Sequence, residues 1–233
     1  MDQGALAARI RGIPAYIVMP RTAPEIKKKA VAGYGGIITF CEPTLQARES
    51  MLVKVIAETG ATEVHPYDNF FVIAGQGTAA KELIEDAGDF DIIMAPVGGG
   101  GLLSGTSLSV KKLNPGCKVI AAEPLGADDA CRSFHAGVIY PSENPKTIAD
   151  GLLTSLSQRT FAIIRENVDD IVTVSEDKIV EAMRLIWERM KIIIEPSSAV
   201  PLAAILEGKL NVSGKKVGII LSGGNLDLGK LPF

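Results

Sequence analysis

The sequence predicts an α/β fold with mostly parallel sheets and helices on both faces. Three observations carry this. Six short apolar runs of strand type alternate with helical stretches along the 233 residues. Hydrophobic residues make up 47% while aromatics are only 5%, with 24 glycines in addition, and a core of Val, Ile and Ala suits strands buried on both faces. No internal repeat, low-complexity segment or Pro/Ser-rich linker interrupts the alternation.

In chain order, AYIVM (15–19) is the first strand. Thr22 followed by Glu25 is a capping-box pattern, and Pro24 fits the first turn of the helix it opens. Lys27, Lys28 and Lys29 on that helix read as a solvated face. GIITF (36–40) is the second strand, and TLQARES starts a helix that carries Arg48. The segment HPYDNFFVIAGQGTAAKELIEDAG (65–88) reads as a loop entering a helix, with Gly75 and Gly77 near its start. FDIIMAP (90–96), KVIAAEP (118–124), DIVTV (170–174) and KVGIILS (216–222) are the remaining strands. After Ser175, a plausible N-cap, Ile179, Met183, Ile186, Trp187 and Met190 recur at helical spacing and predict a core-facing stripe. Two βα units within 12–65 and a new series from Phe90 predict two lobes, a small one over 1–65 and a large one over 66–233.

Charge and composition exclude several classes. The net charge is −3 with a pI near 5.5, and basic residues are scattered apart from the lysine triplet, so nucleic acid is not an expected partner. The apolar runs are too short to span a bilayer, and MDQGALAARI lacks the pattern of a signal peptide, so no membrane partner and a cytoplasmic location are expected. Cys41, Cys117 and Cys131 follow no metal-ligand spacing and read as reduced thiols.

The densest chemical signal is PVGGGGLLSG (96–105). The glycines stand where a strand ends and the helix LLSGTSLSVKKL begins, the geometry of a phosphate cradle: backbone N–H groups can converge on an anion, and the helix dipole favours negative charge there. Nucleotide signatures do not match. Residues 98–105 contain no G-x-G-x-x-G, and Gly-Lys at 208–209, 214–215 and 229–230 is never followed by Ser or Thr. A turn whose glycines serve tight packing alone is the alternative. At the end of the last strand, LSGGNLDL (221–228) offers the Ser222 hydroxyl to a bound ring, with Gly223 and Gly224 permitting close approach. In AAEPLGADDA, Glu123, the Ala127 carbonyl and Asp129 could present three oxygens to a hard cation, with an ordinary acidic loop as the alternative. His65 reads as structural and His135 as surface, and the two histidines support no Ser-His-Asp or Cys-His nucleophile.

Taken together and in order, PVGGGGLLSG, HPYDNFFVIAGQGT, AAEPLGADD, TIADGL, IEPSSA and LSGGNLDL resemble the serine racemase and serine/threonine dehydratase family, pyridoxal phosphate enzymes of fold type II. The resemblance covers nearly the whole chain. It implies that Gly98, Gly99, Gly100 and Gly101 hold the phosphate of pyridoxal 5′-phosphate, and that Ser222 bonds the pyridine nitrogen and leaves it unprotonated. Tyr67 would lie beside the ring and Arg48 near the active-site mouth. Glu123, Ala127 and Asp129 match a divalent-cation site, with Mg²⁺ first and Ca²⁺ second. The implied substrates are small amino acids, serine first, then threonine and 3-hydroxyaspartate, racemised or dehydrated through an α-carbanion, and the implied assembly is a homodimer.

One departure bears on activity. Family members carry a Ser-x-Lys-x-Arg-Gly segment whose lysine binds the cofactor covalently, and a Ser-Ser-Gly-Asn-His loop that binds the substrate carboxylate and supplies the serine base on the opposite face. Neither motif occurs in these residues, and none of the fifteen lysines lies in a matching context. The expectation is an N-terminally truncated racemase or dehydratase. Two alternatives remain open: a non-catalytic cofactor- or phosphate-binding fragment or regulatory subunit, and a short enzyme completed by another chain. No long extension follows LSGGNLDLGKLPF, which argues against a C-terminal regulatory domain.

Overall fold

A computed structural model describes residues 2–233. They form two compact units, residues 2–64 with Asn225–Lys230, and His65–Gly224 with Leu231–Phe233.

The first unit runs α1 (Asp2–Arg11), β1 (Tyr16–Pro20), α2 (Glu25–Gly33), β2 (Ile37–Cys41) and α3 (Leu45–Thr59). β1 and β2 pair in parallel from Tyr16 opposite Ile37 to Pro20 opposite Cys41. Alternate side chains of a strand leave by opposite faces, so Met19 packs with Ala5 and Val31 on one side while Val18 and Cys41 meet Val55 on the other. Thr44 caps α3 by accepting from the Ala47 N–H at 3.2 Å, and Gly60 closes that helix in a left-handed turn.

Two expectations in this unit are corrected. Thr22 does not cap α2: Pro24, at φ −52° and ψ 137°, is the N-cap, with no side-chain bond. Its extended backbone fixes the start of the helix there and leaves Thr22 in an exposed turn. Lys28 does not stand in solvent. Its side chain is 20% exposed and folds back to donate to Glu25 Oε1 and the Arg21 carbonyl, each at 2.7 Å.

The second unit contains α4 (Phe70–Ala87), β3 (Ile92–Pro96), α5 (Gly101–Leu113), β4 (Lys118–Pro124), α6 (Asp129–Ala136), α7 (Gln158–Asn167), β5 (Asp170–Val174), α8 (Glu176–Met190), α9 (Pro196–Leu206) and β6 (Val217–Ile219). The sheet order is β5-β4-β3-β6, and every pairing is parallel. All five residues of β3 are buried, as a central strand covered on both faces requires. Ile93, Ala95, Val97, Leu103, Val110, Val119, Ile164 and Ile171 belong to one core cluster.

The α4–α5 contact is backbone on backbone. A Cβ on Gly77 would stand 2.7 Å from Ser109 Oγ and 2.9 Å from the Gly105 carbonyl, and one on Gly105 would strike the Ile73 carbonyl. Ser109 Oγ donates to the Gly77 carbonyl across this junction at 2.8 Å. α4 starts where Asn69 accepts from the Phe71 and Val72 N–H groups. On α8 the predicted stripe holds for Ile179, Met183 and Ile186, which are buried, but Met190 is 58% exposed. It lies in the last turn, just before Lys191 ends the helix in a left-handed conformation. Ser175 is the N-cap residue, yet its hydroxyl makes no cap bond.

The three thiols are unpaired, Cys41 and Cys117 buried and Cys131 partly so. Burial pushes the Cys117 and Cys131 thiols up to about 11. Alkylation of both by iodoacetamide at pH 8 is therefore expected to be about a hundredfold slower than that of a free cysteine, measured by mass shift of the native chain. Among the described residues no helix is long and apolar enough to cross a membrane.

Candidate cofactor site

Parallel strands deliver their carboxyl ends to one edge of the sheet, where a doubly covered α/β fold binds ligands. The register sets what meets there. Met94 stands opposite Ile219, and the Ile220 N–H donates to the Met94 carbonyl at 2.9 Å, so continuing the ladder brings Ser222 level with Val97. β6 ends at Ile219, shorter than the strand expected over 216–222, and Ser222 lies just past it. On the other side Pro96 faces Ala122, which brings Glu123 level with Val97 as well.

Gly98, Gly99, Gly100 and Gly101 are all buried. Each is glycine for a reason internal to the protein. The Tyr67 ring occupies the space that a Cβ on Gly99 would need, and Gly100 adopts φ +86° against Leu156, Ile164 and Thr160. The loop is pinned by Val97 N–H on the Ala122 carbonyl at 3.1 Å, by Ser104 N–H on the Gly100 carbonyl at 2.8 Å, and by Thr160 Oγ1 on the Gly99 carbonyl at 2.9 Å. The N–H groups of Gly98, Gly99, Gly100 and Gly101, by contrast, donate to no backbone carbonyl among the described residues. Buried backbone donors are almost always paired. Four in succession at the start of α5 fit an anionic group such as a phosphate. Packing turn and cradle thus coincide: the Cβ directions are filled, and the N–H groups are open.

Tyr67 meets His65 edge-on, with ring centroids 4.6 Å apart. His65 Nδ1 accepts from Asp68 N–H at 2.8 Å, which makes it the structural histidine expected. Arg159 holds the same segment, donating to the Asp68 carbonyl at 2.7 Å, pairing with its carboxylate at 2.9 Å and lying 4.4 Å from the Phe70 ring centroid. Sequence reading missed Arg159, Thr160 and Ser198. For Thr160 a signal existed: Ser157-x-x-Thr160 is a capping box, with both reciprocal bonds formed at the start of α7. Arg48 lies partly buried in α3 of the first unit.

Ser222 is partly buried, and its hydroxyl lies 3.1 Å from Ser198 Oγ. Gly223 passes close to Glu195, whose N–H donates to the Gly223 carbonyl at 3.0 Å. His135 is exposed, as expected, and links α6 to β5 through Nε2 and Asp170 Oδ1 at 3.1 Å.

The acidic loop differs from an ordinary one by burial. Glu123 is 0% and Asp129 1% exposed. The Glu123 carboxylate accepts from the Ala130 and Cys131 N–H groups at 3.1 and 2.8 Å. Among the described residues neither oxygen of Asp129 makes a well-formed hydrogen bond, although the Ser142 hydroxyl is near enough to offset part of the upward push of burial. Burial pushes the Glu123 carboxyl up to about 9, and it raises Asp129 as well. Among the described residues no three His, Cys, Asp or Glu side chains converge, so a cation here would take two carboxylates, the Ala127 carbonyl and water. Two buried oxygens on Asp129 without a well-formed hydrogen bond fit such an ion.

Residues 4–223 match the family model described as "Pyridoxal-phosphate dependent enzyme". The chain belongs to this family of pyridoxal-phosphate dependent enzymes. It is 54% identical over 227 residues to a beta-hydroxyaspartate dehydratase of Paracoccus denitrificans, covering 97% of this chain and 72% of that protein. It is 54% identical over 229 residues to a serine racemase of Dictyostelium discoideum, covering 97% and 71%. The structure of maize serine racemase superposes with a TM-score of 0.94 at 44% identity, over 98% of this chain and 71% of that one. The pyridoxal-phosphate family and the fold expected from the residues are therefore those of the chain, and the open glycine N–H groups fit that cofactor's phosphate.

Proposed function

We propose that this chain carries the cofactor cradle of an enzyme that racemises or dehydrates small hydroxy amino acids, with serine first and threonine and 3-hydroxyaspartate next. The observation that carries the reading is the run of four buried glycines, Gly98–Gly101, whose N–H groups meet no backbone carbonyl among the described residues, in a chain so similar to a hydroxyaspartate dehydratase and a serine racemase. Pyridoxal phosphate, when bound, supplies an electron sink that makes the α-proton of an amino acid acidic. The chain's own contribution is placement. The glycine N–H groups and the α5 N-terminus would hold the phosphate, the Ser222 hydroxyl would meet the ring nitrogen, and Tyr67 would lie beside the ring. A hydroxyl at the ring nitrogen suits racemisation and elimination, because a neutral donor does not hold a proton on that nitrogen as a carboxylate would. A homodimer and a cytoplasmic location belong to this reading, the latter supported by three unpaired thiols.

A second reading, a cofactor-holding but catalytically silent chain, is favoured by the lack of a Ser-x-Lys-x-Arg-Gly match around any of its fifteen lysines. One experiment separates the two. The purified chain is loaded with pyridoxal phosphate, assayed for pyruvate and D-serine from L-serine, then reduced with borohydride and peptide-mapped. Any covalently held cofactor is trapped as a stable secondary amine. The expected result for the chain as given is reversible binding with scattered, low-level lysine labelling and little turnover. Stoichiometric labelling of one lysine with turnover would make it an enzyme in its own right. Failure to bind the cofactor would overturn the cradle.

Mg²⁺ at Glu123, Ala127 and Asp129, or Ca²⁺ in its place, is part of the proposal. The buried Asp129 oxygens, without a well-formed hydrogen bond, support it. A cation held only by the native state stabilises by mass action, about 2.7 kcal/mol at a hundred times its dissociation constant. Millimolar Mg²⁺ is expected to raise the melting temperature of the wild type and to leave Asp129→Asn almost unmoved. Chelator and metal giving one wild-type curve would reduce the loop to buried acid.

A further inference from the structure

Ser198 is fully buried in the first turn of α9. Its Oγ lies 2.7 Å from Gly223 N, 2.7 Å from Gly223 O and 3.1 Å from Ser222 Oγ. A hydroxyl has one proton to give and two lone pairs to receive. The Gly223 N–H takes one lone pair, which leaves one proton and one lone pair for two neighbours.

Two arrangements satisfy them. In the first, Ser198 donates to the Gly223 carbonyl and Ser222 donates back to Ser198 Oγ, so that Ser222 can offer a ligand only lone pairs. In the second, Ser198 donates to Ser222 Oγ, and the Ser222 proton is free to point at a ligand. The Gly223 carbonyl is not orphaned in the second case, because the Glu195 N–H donates to it at 3.0 Å. The shorter contact, 2.7 Å to the Gly223 carbonyl against 3.1 Å to Ser222, favours the first state in the free protein, and a ligand that can only accept draws the hydroxyls into the second. An unprotonated pyridine nitrogen, which can only accept, selects the second. A hydroxyl that is itself receiving a hydrogen bond is the stronger donor, because bonds in a chain polarise one another.

We propose that Ser198 is a positioning residue that turns the Ser222 hydroxyl into a donor toward the pyridine nitrogen of the cofactor. It touches neither cofactor nor substrate. The inference rests on the assignment of Ser222 to the ring nitrogen made above, and its test keeps the two apart.

The test measures dissociation constants by equilibrium dialysis for pyridoxal phosphate and for its deaza analogue, in which carbon replaces the ring nitrogen. Wild type, Ser198→Ala, Ser198→Thr and Ser222→Ala are compared, with a melting curve for each. Loss of one oriented hydrogen bond is expected to weaken pyridoxal phosphate binding by roughly three- to tenfold in Ser198→Ala. Binding of the deaza analogue should be unchanged, and Ser198→Thr, which keeps the hydroxyl, should restore the wild-type value. Ser198→Cys, of similar size but only a weak donor, gives the same readout should the alanine variant not fold.

Equal weakening toward both ligands would make Ser198 a packing residue and overturn the proposal, as would no weakening toward either. Ser222→Ala losing affinity for pyridoxal phosphate alone, while Ser198→Ala loses none, would leave the ring-nitrogen assignment standing and remove only the role of Ser198. Ser222→Ala binding both ligands as the wild type does would overturn the assignment and Ser198 with it.

Discussion

Gly99→Asp is expected to abolish the protection that pyridoxal phosphate gives against thermal unfolding. At a hundred times the dissociation constant the wild type should gain about 2.7 kcal/mol from bound cofactor. The variant should gain none, for two reasons. Its carboxylate adds a negative charge next to the loop that repels the cofactor phosphate, and its Cβ falls on the Tyr67 ring, which must shift the loop. Overpacking of this kind costs roughly 1–3 kcal/mol, so the free variant should also melt earlier. Charge and bulk are separated by adding Tyr67→Ala, which removes the ring and leaves the carboxylate. The double variant should recover part of its stability and still show no protection by cofactor. Protection equal to wild type in that double variant would place the phosphate elsewhere.

A large loss of stability is expected at Gly105. An added Cβ meets the Ile73 carbonyl, stands 2.5 Å from Gly77 N and lies 2.9 Å from the Gln76 carbonyl carbon, all of them backbone of α4. A side chain in the way could turn aside; a helix backbone cannot. Gly105→Ala should therefore cost about 3 kcal/mol, near the top of the overpacking range, seen as a lower midpoint in urea with an unchanged slope. Gly75 is the control. It lies on α4, the facing helix, with nothing within 4 Å of its would-be Cβ, so Gly75→Ala should be neutral or stabilise by up to about 1 kcal/mol through helix propensity. Equal losses in both would mean that the α4–α5 approach does not decide the matter.

The six strands could be read in advance because each is a short apolar run needing no knowledge of its partner, and the two central ones, β3 and β4, are buried on both faces. The glycine loop was legible for a similar reason, being one contiguous segment between a strand and a helix. What escaped depends either on the local backbone path or on residues far apart in the chain. Lys28 looks solvated by its neighbours, yet Arg21 and Glu25 give it bonds at close range. Thr22-x-x-Glu25 has the letters of a capping box, but Pro24 sets the helix start two residues later. The opposite error occurred at Ser157 and Thr160, a real capping box whose importance lies in the Gly99 carbonyl 61 residues away. Ser198 was visible only as one letter of IEPSSA. Its neighbours at 222 and 223 are brought to it by the passage of the chain through β6, which no local pattern encodes.

Gly98 to Gly101 are closed in by different neighbours: the Leu152 backbone beside Gly98, the Tyr67 ring over Gly99, three side chains around the left-handed Gly100, and the Tyr67 Cβ beside Gly101. The genetic code turns this geometry into a constraint on drift. Every single-base change in a glycine codon that alters the residue installs a Cβ or a stop, so no one-step missense neighbour of these four codons keeps the loop as it is. Any change here must arrive together with a second one, in Tyr67, Leu156 or their surroundings, that makes room for it.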